Sequence, residues 1–132
     1  MFLAYLRPDG SLDYVSAGHN PAIVVGPDGE AELLHSSGPP LGLLPAVTYA
    51  AQKATLPPGS LLLAYTDGFS EATDPAGEDF GTDRLVALAR ELRGEPLEVL
   101  VAELFVAVDR FTAGAPAHDD RTALAVRRLP CS

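Results

Sequence analysis

Cysteine is all but missing from this chain: Cys131, beside the last residue, is the only one. No internal disulfide can form, and no zinc site can be built on thiolates. Such usage fits a reducing compartment. Positive charge is also scarce. Nine Lys and Arg stand against eighteen Asp and Glu, for a net charge of -9, and Lys53 is the only lysine. Nucleic-acid binding needs clustered positive charge, so this balance excludes it. The same balance disfavours an anionic membrane surface. Long apolar runs are absent, and nothing approaches the roughly 18 residues of a membrane helix. The apolar opening, residues 1–6, is stopped at once by Arg7, Pro8 and Asp9, which is too short for a signal-peptide core. These absences lead us to expect a soluble, cytoplasmic protein with no nucleic-acid and no membrane partner.

Several catalytic signatures are missing too. There is no Gly-x-Ser-x-Gly elbow for a serine nucleophile, no HExxH metal pair, and no glycine-rich phosphate loop. His19, His35 and His118 have no close ligand spacing, and Cys131 has no evident activating partner.

What is present is core. Of 132 residues, 47% are apolar, enough for one packed domain. The first half reads as short strands and tight turns: strands at 2–6, 12–17, 22–25 and 31–35, separated by Pro-Asp-Gly-Ser, Gly-His-Asn-Pro and Gly-Pro-Asp-Gly. Residues 36–45 hold three prolines and two glycines and read as a loop. A strand is expected over 47–55. The continuous apolar run Leu61–Tyr65 reads as a strand buried on both faces. The second half turns helical. Residues 83–92 place Leu85, Leu88, Ala89 and Leu92 on one stripe, with Thr82 as N-cap and Gly94 as the stop. Pro96 opens a second helix with a stripe running from Leu97 to Phe111. Residues 113–117 form a loop, 122–126 a last strand and 127–132 a tail. The order gives an α+β fold, antiparallel sheet covered by two helices.

Chemistry can sit at two strand ends. Asp67 follows a buried strand, with Gly68 allowing a sharp exit, and Asp119-Asp120 precede another apolar strand. Carboxylates held there suit Mg²⁺ or Mn²⁺, which want hard oxygen donors. The same residues also read as an ordinary turn opening and loop end. Pattern alone leaves both readings open. The acids at 71, 74, 78 and 79 read as exposed loop charges.

The ordered blocks carry a resemblance. Ser16-Ala17-Gly18-His19-Asn20-Pro21, then Gly38-Pro39-Pro40-Leu41-Gly42, then Tyr65-Thr66-Asp67-Gly68-Phe69-Ser70-Glu71-Ala72, and last Asp119-Asp120-Arg121-Thr122 resemble the motif series of the stage II sporulation protein E type of PPM serine/threonine phosphatases. The resemblance implies the C-terminal half of a PPM α-β-β-α sandwich. It implies hydrolysis of phosphoserine or phosphothreonine by a metal-activated water at a two-ion Mn²⁺ or Mg²⁺ centre. Asp67 and Asp119 fall on metal-ligand positions, with Asp120 and Gly68 as neighbours. Gly18, His19 and Asn20 match a family hallmark to which no role attaches. The implied substrate is a phosphorylated signalling protein, such as a STAS-type anti-anti-sigma factor of a stress response. The family's upstream G-D-x-x-G-[KH]-G block, with its bridging aspartate, is not found in these 132 residues. Residues 1–132 therefore read as a partial domain without the N-terminal metal-binding half, weak or inactive alone. Such a chain is expected to homodimerise or to pair with a separately encoded N-terminal half. The alternative expectation is a degenerate, non-catalytic phosphatase that serves as a protein-binding module.

Overall fold

Alternation along two strands builds two cores. In the computed structural model, which describes residues 1–116 and 119–130, β1 (Phe2–Leu6) pairs antiparallel with β2 (Ser11–Ser16), and β2 pairs with β5 (Gln52–Thr55). A second sheet has the order β4 (Ala31–Leu34), β3 (Ala22–Val25), β6 (Leu61–Tyr65), β7 (Ala123–Arg127), all antiparallel. Side chains two apart share a face of a strand. Ile23, Val25, Leu61, Leu63 and Tyr65 accordingly point to one side of this sheet and pack with Leu85, Ala89, Leu100, Leu104 and Val108. Ala22, Val24 and Leu62 point to the other side and pack with Leu12, Tyr14, Leu34 and Leu56. The expected burial of 61–65 on both faces follows from this three-layer arrangement. Helices lie outside the four-stranded sheet, and the three-stranded sheet covers its inner face.

Two long helices form the outer layer: α2 (Gly81–Glu91) and α3 (Leu97–Phe111). A third, α1 (Asp67–Ser70), is a single turn where only a turn was expected, so the α+β expectation gains one helix. It buries Phe69 completely, edge-on to Phe105 at 4.9 Å. Thr82 is not the N-cap of α2. Phe80 holds that position without a side-chain cap, and the Thr82 hydroxyl lies 3.2 Å from the Tyr65 hydroxyl. The strand expected over 47–55 shrinks to Gln52–Thr55. Residues ahead of it belong to the 36–45 loop instead: the Tyr49 hydroxyl donates to Pro39 O at 2.6 Å. Residues 117–118 and 131–132 lie outside the described residues, so the structure does not bear on His118 or Cys131.

Both sheets end on the same side. β1 is the edge of the smaller sheet and β7 of the larger. Between them runs an apolar groove of about 350 Å³, lined by Phe2, Leu3, Leu6, Leu62, Leu124 and Val126 among others. Leu3, Tyr5 and Leu124 are each more than 60% exposed. An open edge flanked by exposed apolar side chains is a template for further strand pairing.

Candidate functional site

Antiparallel pairing decides which loops meet. β6 leaves its sheet at Tyr65, opposite Ala123, so residues that follow β6 lie beside those that precede β7. β3 also runs against β6, with Ile23 opposite Leu63, so residues that precede β3 arrive at the same end. Loop residues 17–21, 66–71 and 119–122 therefore converge, although they are far apart in sequence.

The joint between two of these loops is polar. The Thr66 N–H donates to Thr122 O at 3.0 Å, and the Thr122 N–H donates back to Thr66 Oγ1 at 3.0 Å. Thr66 Oγ1 donates in turn to Asp120 O at 3.1 Å. Arg121 folds back over the joint. Its Nε donates to Gly68 O at 3.2 Å, its Nη1 donates to Asp109 Oδ1 at 2.7 Å, and its side chain is only 10% exposed. Gly68 is dictated by closeness. A Cβ built there would lie 2.2 Å from Asp120 O, inside any permitted contact.

Asp67 opens α1 and is exposed. Asp67, Gly68 and Asp119 line one cleft of about 90 Å³, together with Glu71 and Arg121 among others. Asp120 is not among the lining residues, and its backbone carbonyl holds the joint instead. Beneath the cleft, burial pushes the Tyr65 phenol up from its ordinary pKa, and the hydrogen bond with Thr82 works against that.

The third loop brings the Gly18, His19 and Asn20 block. Gly18 has φ +65, and its N–H is shared between Gly38 O and Ser36 Oγ, both at 2.8 Å. His19 Nδ1 lies 2.7 Å from Asn20 O. A carbonyl only accepts, so that nitrogen carries the proton. The Asn20 side-chain amide donates to Asp67 Oδ1. Sequence reasoning left this link unseen, and it also set Glu71 aside. Glu71 stands four residues after Asp67, the spacing of one helical turn, which was the available signal. Two of the other acids set aside take local roles. Asp74 accepts from the N–H groups of Ala76 and Glu78, and Glu78 pairs with Arg84 at 3.8 Å.

The donor set suits a hard divalent cation in kind, since carboxylate oxygens are what Mg²⁺ and Mn²⁺ take. In number it is short. Among the described residues no group of three or more His, Cys, Asp or Glu is placed to hold an ion. Among the described residues, Asp67 and Asp119 share this cleft with one other carboxylate, Glu71.

The two-sheet core with helices packed on the four-stranded sheet is shared with part of solved PP2C phosphatase domains. The manganese-presoaked phosphatase domain of the cell fate determinant SpoIIE from Bacillus subtilis matches it with a TM-score of 0.71 and 19% identity, over 100% of this chain and 57% of that one. The chain belongs to the stage II sporulation protein E (SpoIIE) family, whose profile matches residues 1–129. Protein IcfG of Synechocystis is 33% identical over 123 residues, which is 91% of this chain and 19% of that protein. The phosphoserine phosphatase RsbP of Bacillus subtilis is 36% identical over 62 residues, 47% of this chain and 15% of that protein. The chain thus spans less than a fifth of either relative. Among the described residues no helix is long and apolar enough to cross a membrane.

Proposed function

We propose that these residues form the C-terminal part of a metal-dependent protein serine/threonine phosphatase domain, with Asp67 and Asp119 as ligands of Mn²⁺ or Mg²⁺. The observation that carries this reading is the meeting of Asp67 and Asp119 in one cleft, 52 positions apart in sequence, across a joint that only glycine at position 68 permits. A relative named a phosphoserine phosphatase supports the reaction class. The substrate would be a phosphorylated bacterial signalling protein in the cytoplasm, of the STAS-type anti-anti-sigma class. A divalent cation bound there supplies Lewis-acid chemistry toward the phosphoryl group. The chain's own part is to present two carboxylates, one from the start of α1 and one from the loop ahead of β7, with Arg121 linking the two segments.

The same reading gives the groove between β1 and β7 an occupant. This chain matches 57% of a solved phosphatase domain, and its two sheets have open edges side by side. A complementary segment of such a domain, on the same or another polypeptide, would add strands to both edges and bring the missing acidic ligands.

The test is Mn²⁺ titration calorimetry on the wild type, Asp67→Asn and Asp119→Asn, with p-nitrophenyl phosphate hydrolysis followed on the same samples. Binding that either substitution removes supports the assignment. Binding unchanged in both variants overturns it. Hydrolysis that appears only when a G-D-x-x-G-[KH]-G-bearing segment is added supports the partial-domain reading.

A further inference from the structure

We infer that Asn20 is a positioning residue for Asp67: it fixes the orientation of this carboxylate through a neutral hydrogen bond and leaves its charge available to a cation. The inference rests on the metal-site reading above and extends it to the loop of residues 17–21. Asn20 and Asp67 are 47 positions apart, and the amide of one donates to Oδ1 of the other. Among the described residues nothing donates to Oδ2 of Asp67.

The loop that delivers Asn20 is held on several sides. Gly18 takes a left-handed φ, and its N–H is bonded to both Gly38 and Ser36. A Cβ at Gly18 would lie 2.5 Å from Pro40 Cγ, so the two loops close over each other. The His19 ring packs 5.9 Å from that of Phe2 while its Nδ1 bonds the Asn20 carbonyl. Pro21 fixes φ at the next residue, just before β3 begins. An isolated surface hydrogen bond between a floppy pair would mean little. Here both ends are set by backbone, which makes the contact a constraint on the carboxylate.

The residue type matters as much as the place. Lys or Arg at position 20 would neutralise Asp67 and compete with a cation. A carboxylate there could not donate. An amide orients without charge, as the outer partners of metal-ligating carboxylates do.

The experiment reads Mn²⁺ affinity and metal-free thermal stability side by side in the wild type, Asn20→Ala, Asn20→Ser, Asp67→Asn and the Asn20→Ala/Asp67→Asn double variant. Asn20→Ser keeps a polar side chain too short to reach Asp67, so it guards against a folding defect in the alanine variant. We expect both position-20 variants to bind Mn²⁺ about 10- to 100-fold more weakly with an unchanged metal-free melting temperature. Asp67→Asn should lose the binding itself, and the double variant should be indistinguishable from it in both readouts. Wild-type affinity in both position-20 variants overturns the positioning role and leaves the metal site standing. So does a metal-free melting temperature that falls in both position-20 variants, because the weaker binding would then be a folding defect. Absence of Asp67-dependent binding in the wild type overturns the metal-site reading and this inference together.

Discussion

The substitution Gly68→Ala tests the geometry that brings the two aspartates together. The new Cβ would meet Asp120 O at 2.2 Å, Asp120 C at 2.8 Å and the Arg121 side chain at 3.0 Å. Two of these three are backbone atoms, which cannot rotate away. Relief requires the 119–122 loop to move off α1. Overpacking of this kind costs about 1–3 kcal/mol, and a clash with backbone belongs at the upper end. Moving the loop also breaks the hydrogen bond from Thr66 to Asp120, about 1 kcal/mol more. Against this, alanine favours a helical position by about 1 kcal/mol over glycine. The net loss is about 3 kcal/mol. With a urea slope of about 2 kcal/mol per molar, the midpoint should fall by about 1.5 M when unfolding is followed by far-UV circular dichroism. Gly94→Ala is the control, since nothing lies within 4 Å of a Cβ there and its φ is not left-handed. It should leave the midpoint unchanged or raise it. A Gly68→Ala midpoint equal to the wild type would refute the close approach, and with it the joint on which the site is built.

Two further outcomes follow from the packing beneath the site. Phe69→Ala empties a fully buried position against Phe105 and should cost about 3–5 kcal/mol, read by the same denaturation; a loss below about 1 kcal/mol would mean α1 does not anchor the Asp67 loop. Tyr65 has its pKa raised above that of the unfolded chain by burial, so the folded state holds the phenolic proton more tightly. Its contribution is fully present below the unfolded value of about 10 and is lost as pH rises through the folded one. Tyr65→Phe should therefore flatten the alkaline limb of a stability-against-pH curve, and an unchanged limb would count against burial of that hydroxyl.

Much of this molecule could be read from the order of its residues, and the parts that could not have physical reasons. Leu61–Tyr65 gave itself away because a strand covered on both faces has no polar position to spare. The helices were legible from the stripes Leu85-Ala89 and Leu100-Leu104-Val108, all now in one core. The strand at 47–55 was overestimated because Tyr49 spends its hydroxyl on Pro39, a tertiary choice invisible to local pattern. Thr82 has the composition of an N-cap, yet a buried phenol nearby claims its hydroxyl. The site shows the same division. Asp67 and Asp119 stood out as acids at strand ends. The Asn20 contact depends on β3 and β6 running antiparallel in one register, which no motif states. Arg121 escaped notice because an exposed-looking arginine in a loop gives no hint that Gly68 and Asp109 will bury it.

The two cores differ in a way that bears on how such a domain would be completed. Phe69 and Tyr65 root the Asp67 loop in the core beneath the helices, which is closed by α2 and α3. The core between the sheets ends instead in a groove, with β1 exposed along most of its length. The loops that carry the carboxylates are thus anchored on the closed side, while the exposed apolar surface lies on the open one. Under the proposed reading, a complementary segment can add strands at β1 and β7 without remaking the joint of Thr66, Gly68 and Asp120. Assembly would then bring new ligands toward Asp67, whose carboxylate already accepts from Asn20.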